Sequence, residues 1–378
     1  MAVEYIQSGF ENGSPLDWEV RADGRVHVRL QYDHERGSPN RAAGHWHFRL
    51  EGAPGSTVDL ALEGFDNVWN GVLSSPISDR TSCFLSAEGR AWSAVPASKT
   101  ADNRLELTVQ MPGPELYVAR LEPYRLSDLD RLLEEIQADR RVEIQPIGAS
   151  PEGRPLEIVR VGREAAPHRA LVRARSHPWE PGGNWVVQGL IRSLLADEAT
   201  SRAFLERCAL YVLPMADKDG VVRGRTRFNT NGMDLNRSWE RPADPALAPE
   251  NAAVERWLEA LIGRGLAPQL AIDLHNDNSG KLHVSRPDIP GDPHVAKMLR
   301  LEALLREHTW FREGSKFSTP GQPWTVGVGL LERYGIDACI LELNCDWIAG
   351  LGRVPFGADW ELFGHQLRGA LLGYFGRA

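Results

Sequence analysis

The sequence predicts an α/β layered domain preceded by a small antiparallel β-sandwich. Two observations carry this. Up to about residue 122 apolar residues alternate with polar ones and Gly and Pro cluster between the runs. From Ser127 onward strand-like and helix-like segments alternate, the pattern of a layered α/β architecture. The boundary is placed at Glu122-Pro123-Tyr124, giving a β-rich region over 1–122 and an α/β region over 123–378.

The β-rich region is read from its alternation. Arg25–Tyr32 (RVHVRLQY) sets Val26, Val28 and Leu30 between polar neighbours. His45–Leu50, Val58–Leu62, Leu105–Met111 and Glu115–Leu121 read similarly, with Gly52–Gly55 and Pro112–Pro114 as breaks. Ser127–Gln137 then has an N-cap Ser and apolar residues at helical spacing. Ala170–Ala174, Leu210–Pro214, Leu270–Leu274 and Cys339–Leu343 read as strands. Asn184–Leu195, Pro249–Ile262, Pro293–His308 and Gly357–Phe375 read as helices.

Composition narrows the classes of function. The 378 residues carry a net charge of −8, and only five of the 43 basic residues are Lys. An unspecific binder of the phosphate backbone is therefore not expected, and no nucleic-acid partner is assigned. The four cysteines form no CxxC pair, which argues against a thiolate metal cluster and suits a reducing compartment. The first residues, MAVEYIQSGFENGSPLDWEV, show no signal-like apolar stretch. No apolar run approaches the ~20 residues needed to cross a bilayer. A cytoplasmic protein without a membrane partner is expected.

Four segments could carry chemistry. Ser176-His177-Pro178-Trp179-Glu180 places an imidazole and a carboxylate three residues apart, just past a strand end. Ile272-Asp273-Leu274-His275 runs an apolar strand into a histidine, at the strand end where open α/β sheets bind ligands. Alone, HxxE also describes a surface turn and His275 a loop residue. Together, His177, Glu180 and His275 match a hydrolytic Zn²⁺ site of the His₂Glu kind. Cys339–Leu343 buries Glu342 in an apolar strand, which is costly unless the carboxylate has a partner or a task such as general base. Gly224–Trp239 (GRTRFNTNGMDLNRSW) is rich in Arg and Asn, suited to holding carboxylates and oxyanions, and equally describes a solvated loop.

The order of these segments resembles the zinc carboxypeptidase family, in particular its cytosolic carboxypeptidase branch, over nearly the whole chain. Ile147–Leu156 is similar to the family segment before the first catalytic strand. His177-Pro-Trp-Glu180 matches the family HxxE motif, and Gly232-Met-Asp-Leu-Asn-Arg237 its Gly-Val-Asp-Leu-Asn-Arg motif. Pro214–Gly220 resembles its Pro-Met-x-Asn-Pro-Asp-Gly segment. Asp273-Leu-His275 matches the second histidine and Leu341-Glu342 the catalytic glutamate. In the β-rich region, Trp46–Leu50 and Leu121–Leu126 are similar to pieces of that branch's extra domain.

The resemblance implies a mixed sheet flanked by helices and one Zn²⁺ per chain, held by His177, Glu180 and His275. It implies Glu342 as general base and Arg227 as the arginine that polarises the scissile carbonyl. Asn236 and Arg237 would grip the substrate's C-terminal carboxylate, and Asp234 would orient His177. The expected activity is removal of C-terminal residues from peptides or proteins.

Three departures stand out. Asp217 and Lys218 replace the usual Asn and Pro, a change expected to affect a turn. No clear equivalent exists of the phenol that closes over substrate in digestive members. Glutamate-trimming members carry an arginine about fifteen residues before the base; here Gly327 stands near that place and Phe317–Leu331 holds no Lys or Arg. Glutamate specificity is therefore not expected, with Lys316, Arg286 and Arg333 the nearby cations to place. The alternatives are a related amide hydrolase acting on N-acyl amino acids or cell-wall peptides, or a non-catalytic peptide-binding module. An intact set of His177, Glu180, His275 and Glu342 argues against the module.

Overall fold

The computed structural model describes residues 3–287 and 289–376. The chain divides into two compact units that do not follow chain order. One comprises Met1–Leu126 with Asp219–Asp234; the other comprises Ser127–Lys218 with Leu235–Ala378.

The first unit is built from β-strands. One sheet runs Val3–Gln7, His47–Gly52, Glu115–Ala119, Ser82–Ser86, Ser93–Pro96, all antiparallel. A second runs Ser98–Lys99, Leu105–Gln110, Thr57–Glu63, Val26–Leu30, Leu16–Val20. The alternating residues read from sequence supply one core, in which Val26, Val28, Leu30, Leu60, Leu62, Leu105 and Val109 pack with Trp46, Phe48 and Val118. One pair, Val26–Leu30 with Thr57–Glu63, is parallel, so the sheets are antiparallel except there. A small third sheet joins Asp33–His34, Arg41–Ala42, Asn67–Trp69 and Val72–Ser74.

The second unit holds an eight-stranded mixed sheet. Its order is Val142–Ala149, Pro155–Val161, Cys208–Leu213, His168–Ala174, Leu270–Asp277, Asp337–Asn344, Leu282–Val284, Ser315–Phe317. The four strands from Cys208–Leu213 to Asp337–Asn344 in that order are parallel, as crossover helices require. The hairpin Val142–Ala149 with Pro155–Val161 adds the antiparallel part on one side. Both faces are covered. Helix Gly182–Leu195 packs where Ala174 and Leu274 emerge: a Cβ on Gly183 would stand 3.1 Å from Leu274 Cβ and 3.2 Å from Ala174 Cβ. Helix Val326–Tyr334 covers the face that shows Ile340.

Helices Gly182–Leu195 and Gly357–Tyr374 approach each other through glycine. A Cβ on Gly364 would lie 2.0 Å from Val186 O, and one on Gly189 would lie 1.9 Å from Glu361 O. Helix Leu126–Ile136 buries Leu129, Leu132 and Ile136, the face its spacing predicts. No helix among the described residues is long and apolar enough to cross a membrane.

Candidate active site

Register places the chemistry on one sheet face. In the parallel ladder Asp273 pairs with Ile340 and His275 with Glu342. Side chains two apart on a strand share a face, so Asp273 and His275 project together, beside Glu342. Arg173 pairs with Asp273 from the strand on the other side. The site thus forms where the parallel strands end.

His177 and Glu180 reach it from the turn after His168–Ala174. Arg175 turns the chain there with φ 63°, a left-handed conformation that a non-glycine residue adopts at a cost of about 1–3 kcal/mol. Its side chain secures the turn, Nε donating to Pro178 O at 2.8 Å and Nη1 to Asn184 Oδ1 at 2.9 Å. Asn276 ties the neighbouring segments: its Oδ1 accepts Gly182 N–H at 2.8 Å and its Nδ2 donates to Leu343 O at 2.7 Å.

The three expected ligands converge. His177 Nδ1 is 2.7 Å from Glu180 Oε1, His275 Nδ1 is 2.8 Å from Glu180 Oε2, and the two Nδ1 atoms are 3.2 Å apart. All three side chains are buried, and Glu180 Oε2 lacks a well-directed hydrogen bond. Donors ~2.1 Å from a tetrahedral Zn²⁺ would stand about 3.4 Å apart. Two imidazoles and a carboxylate aimed at one point therefore fit a zinc ion.

The electrostatics suit a cation. Burial alone would raise the Glu180 carboxyl, but His177 and His275 reverse this and hold it below the ordinary carboxylate range. Burial would lower the His275 imidazole, yet Asp273 and Glu180 on its two sides raise it well above its ordinary value. Metal binding must displace such a proton.

Asp273 is the residue whose role the sequence reading missed. Its Oδ2 lies 2.7 Å from His275 Nε2, on the side away from the converging donors. Arg173 Nη1 donates to the same carboxylate at 3.1 Å, and Arg173 is held in turn by Ser176, Leu235 O and Asn251. The signal was present: Asp-x-His within a strand sets both groups on one face.

Glu342 stands beside the ligands with its Oε2 buried and without a hydrogen-bond partner among the described residues. Burial pushes its carboxyl well above the ordinary range; His275 opposes this, while Asp277 and Glu180 add to it. A carboxyl raised in this way holds a proton more readily than a solvated one, as a group that takes and returns protons must. Asn236 Oδ1 accepts Val326 N–H at 3.0 Å, capping the start of helix Val326–Tyr334, and Arg237 Nη1 donates to Asn236 O at 2.8 Å.

Arg227 and Asp234 belong to the first unit. Asp234 Oδ2 accepts Arg227 Nε at 2.9 Å and Nη2 at 2.7 Å. Lys218 does more than alter a turn: it is buried, and its Nζ donates to Glu157 Oε2 at 2.6 Å. Of the nearby cations, Arg286 pairs with Glu332 at 2.9 Å and Arg333 with Glu255. Lys316 is exposed on the short strand Ser315–Phe317, opposite His283.

Known proteins resemble this chain in sequence and in fold. Residues 129–264 match the model of the zinc carboxypeptidase family. Two solved structures share the fold across 98% of both chains with a TM-score of 0.83. They are a metallo-carboxypeptidase from Burkholderia cenocepacia, 22% identical, and one from Pseudomonas aeruginosa, 24% identical and solved with (2-guanidinoethylmercapto)succinic acid. Human cytosolic carboxypeptidase 4 is 27% identical over 294 residues, 70% of this chain and 26% of its own length. Mouse cytosolic carboxypeptidase 1 is 32% identical over 111 residues, 29% of this chain and 9% of its own length.

Residues 129–264 thus resemble a zinc carboxypeptidase domain, and cytosolic carboxypeptidases are among the proteins similar to this chain. The chain spans about a quarter or less of the length of these two relatives.

Proposed function

We infer that the protein is a zinc-dependent metallocarboxypeptidase that removes C-terminal residues from peptides or proteins. The observation that supports this most is the convergence of His177, Glu180 and His275 beside a buried, unpartnered Glu342 oxygen. Zinc held by His177, Glu180 and His275 would supply Lewis acidity toward a carbonyl and toward water.

The chain's own residues do the rest. Glu342 takes a proton from the attacking water at its free oxygen, holds it in the buried site, and returns it to the leaving amine. Arg227 donates hydrogen bonds to the carbonyl oxygen as negative charge develops there. Arg237 and Asn236 hold the free terminal carboxylate, which restricts cleavage to chain ends. Asp234 acts on the ligand His177, as the family motif implies, while Asp273 fixes the tautomer and orientation of His275.

The expected preference is for neutral or apolar terminal residues. Arg286 and Arg333 are committed to carboxylates, and Gly327 offers no side chain, so a terminal Glu would be desolvated with little compensation. The substrate is a peptide or protein C-terminus, not a nucleic acid or a membrane. A cytoplasmic location is supported by the relatives' names and by four buried free thiols.

The test is a panel of peptides varied at the last residue, each as free acid and as amide, given to the zinc-loaded protein. Release of neutral terminal residues from the free acids alone is expected. Internal cleavage of the amides, or fastest release of terminal Glu, would contradict the reading.

A further inference from the structure

The segment Asp219–Asp234 clusters with residues 1–126, although it is flanked on both sides by chain of the other unit. Arg227 stands in the middle of it, and its anchors come from the N-terminal strands and their loops. Asn12 Nδ2 donates to Val221 O, and Asn12 N–H to Val222 O, both at 3.0 Å. Gly44 and His45 N–H donate to Thr226 Oγ1 at 3.1 and 3.3 Å. Arg36 N–H donates to Gly232 O at 2.8 Å. Gly224, at φ 60°, lies so close that a Cβ would stand 2.1 Å from Gly13 O.

Two contacts act on Arg227 itself. Buried Asp33 accepts the backbone N–H of Thr226 and of Arg227 at one oxygen, Oδ2, each at 2.7 Å. The Trp69 ring underlies the guanidinium, with Arg227 Cζ 4.5 Å from the ring centroid. With Nε and Nη2 on Asp234, the guanidinium is fixed in one plane, and Nη1 has no acceptor among the described residues. Arginine is long and flexible, so a stacked ring and a paired edge remove most of its freedom before any ligand arrives.

We propose that Asp33 and Trp69 are positioning residues for Arg227: the N-terminal unit fixes the backbone and the guanidinium plane of the arginine that meets the substrate carbonyl. This rests on the reading of Arg227 given under Proposed function. It assigns the N-terminal unit a part in catalysis, as the frame of a preorganised hydrogen-bond donor.

The experiment uses the full-length zinc-loaded protein and a free-acid peptide. Trp69→Leu keeps apolar bulk but loses the aromatic face, and Asp33→Ala removes the acceptor. Misplacing a catalytic group by about 1 Å costs on the order of 10²-fold, so each variant should lose about 10–100-fold in kcat while KM stays within about threefold. Trp69→Phe and Asp33→Asn, which keep a ring face and an acceptor oxygen, should recover most of the rate. In an Arg227→Ala background the same substitutions should cost no more than about twofold, because their target is gone. Amide exchange over 224–232 should rise in Asp33→Ala while the melting temperature stays close to wild type.

Undiminished losses in the Arg227→Ala background would overturn the proposal, since they would show a general effect on folding. Normal kcat in Trp69→Leu and Asp33→Ala, beside an impaired Arg227→Ala, would overturn this inference alone. Normal kcat in Arg227→Ala would overturn the reading of Arg227, and this inference with it. Should Asp33→Ala not fold, Asp33→Ser takes its place under the same criteria.

Discussion

Replacing Asp273 by Asn tests whether the site depends on a charge behind its ligand. The carboxylate lies 2.7 Å from His275 Nε2 and 3.1 Å from Arg173 Nη1, with both partners buried. Asn keeps the shape and one acceptor but removes the charge. Loss of such a partner typically weakens metal affinity 10–100-fold, or about 1.4–2.7 kcal/mol. It also leaves Arg173 buried without its counter-ion, a defect of about 3–5 kcal/mol. Arg173 retains Leu235 O at 3.2 Å and Asn251 Oδ1 at 3.0 Å, so the lower end of that range is expected.

The acid side gives an independent reading. Burial alone would raise the Asp273 carboxyl, but Arg173 and His275 bring it below its ordinary value of about 3.9. A carboxyl lowered in the folded state stabilises fully above its unfolded value, and that stability is lost as pH falls through the folded value. The Asn variant should therefore lose part of the acid sensitivity of the metal-free protein. Competition titration against a zinc chelator and denaturant unfolding between pH 2 and 7 measure both effects. Zinc affinity within about threefold of wild type, together with unchanged stability, would refute the reasoning.

Three further outcomes are expected. Glu342→Gln should keep zinc at one per chain yet lose ~10²–10⁴-fold in kcat, by metal analysis and peptide hydrolysis on one preparation. Arg237→Ala should weaken free-acid peptides by about 1.5–3 kcal/mol, or roughly 10–100-fold, while amidated peptides bind as before in an inhibition assay. Gly364→Ala gains about 1 kcal/mol of helix propensity, but its Cβ would meet Val186 O at 2.0 Å. Net destabilisation of about 1–3 kcal/mol in urea melts is expected, and a stabilised variant would mean that the helices separate freely.

Much of this was legible because short-range pattern carries it. HxxE after a strand, Asp-x-His at a strand end and a lone Glu in an apolar strand are local signals, and the sheet turns them into one cluster. What was not legible is non-local. Nothing in the sequence pairs His275 with Glu342; the parallel register does. The attachment of the Arg227 segment to the N-terminal strands depends on Asn12, Asp33 and Gly44, each more than 180 residues away. The strands Leu282–Val284 and Ser315–Phe317 are too short to show alternation. The hairpin Val142–Ala149 with Pro155–Val161 shows no clear strand pattern in sequence, because its prolines mask the period. Lys218 reads as a turn substitution in sequence, whereas its buried ammonium on Glu157, 61 residues away, is a tertiary contact.

The proposed chemistry needs a single zinc ion on His177, Glu180 and His275. X-ray absorption of the zinc-loaded protein, compared with His177→Ala, tests it most directly. One zinc per chain is expected, with nitrogen and oxygen neighbours at about 2.0–2.2 Å and no sulfur, and that ion is lost in the variant. Zinc bound through sulfur, or retained at full stoichiometry with unchanged neighbours in His177→Ala, would contradict it.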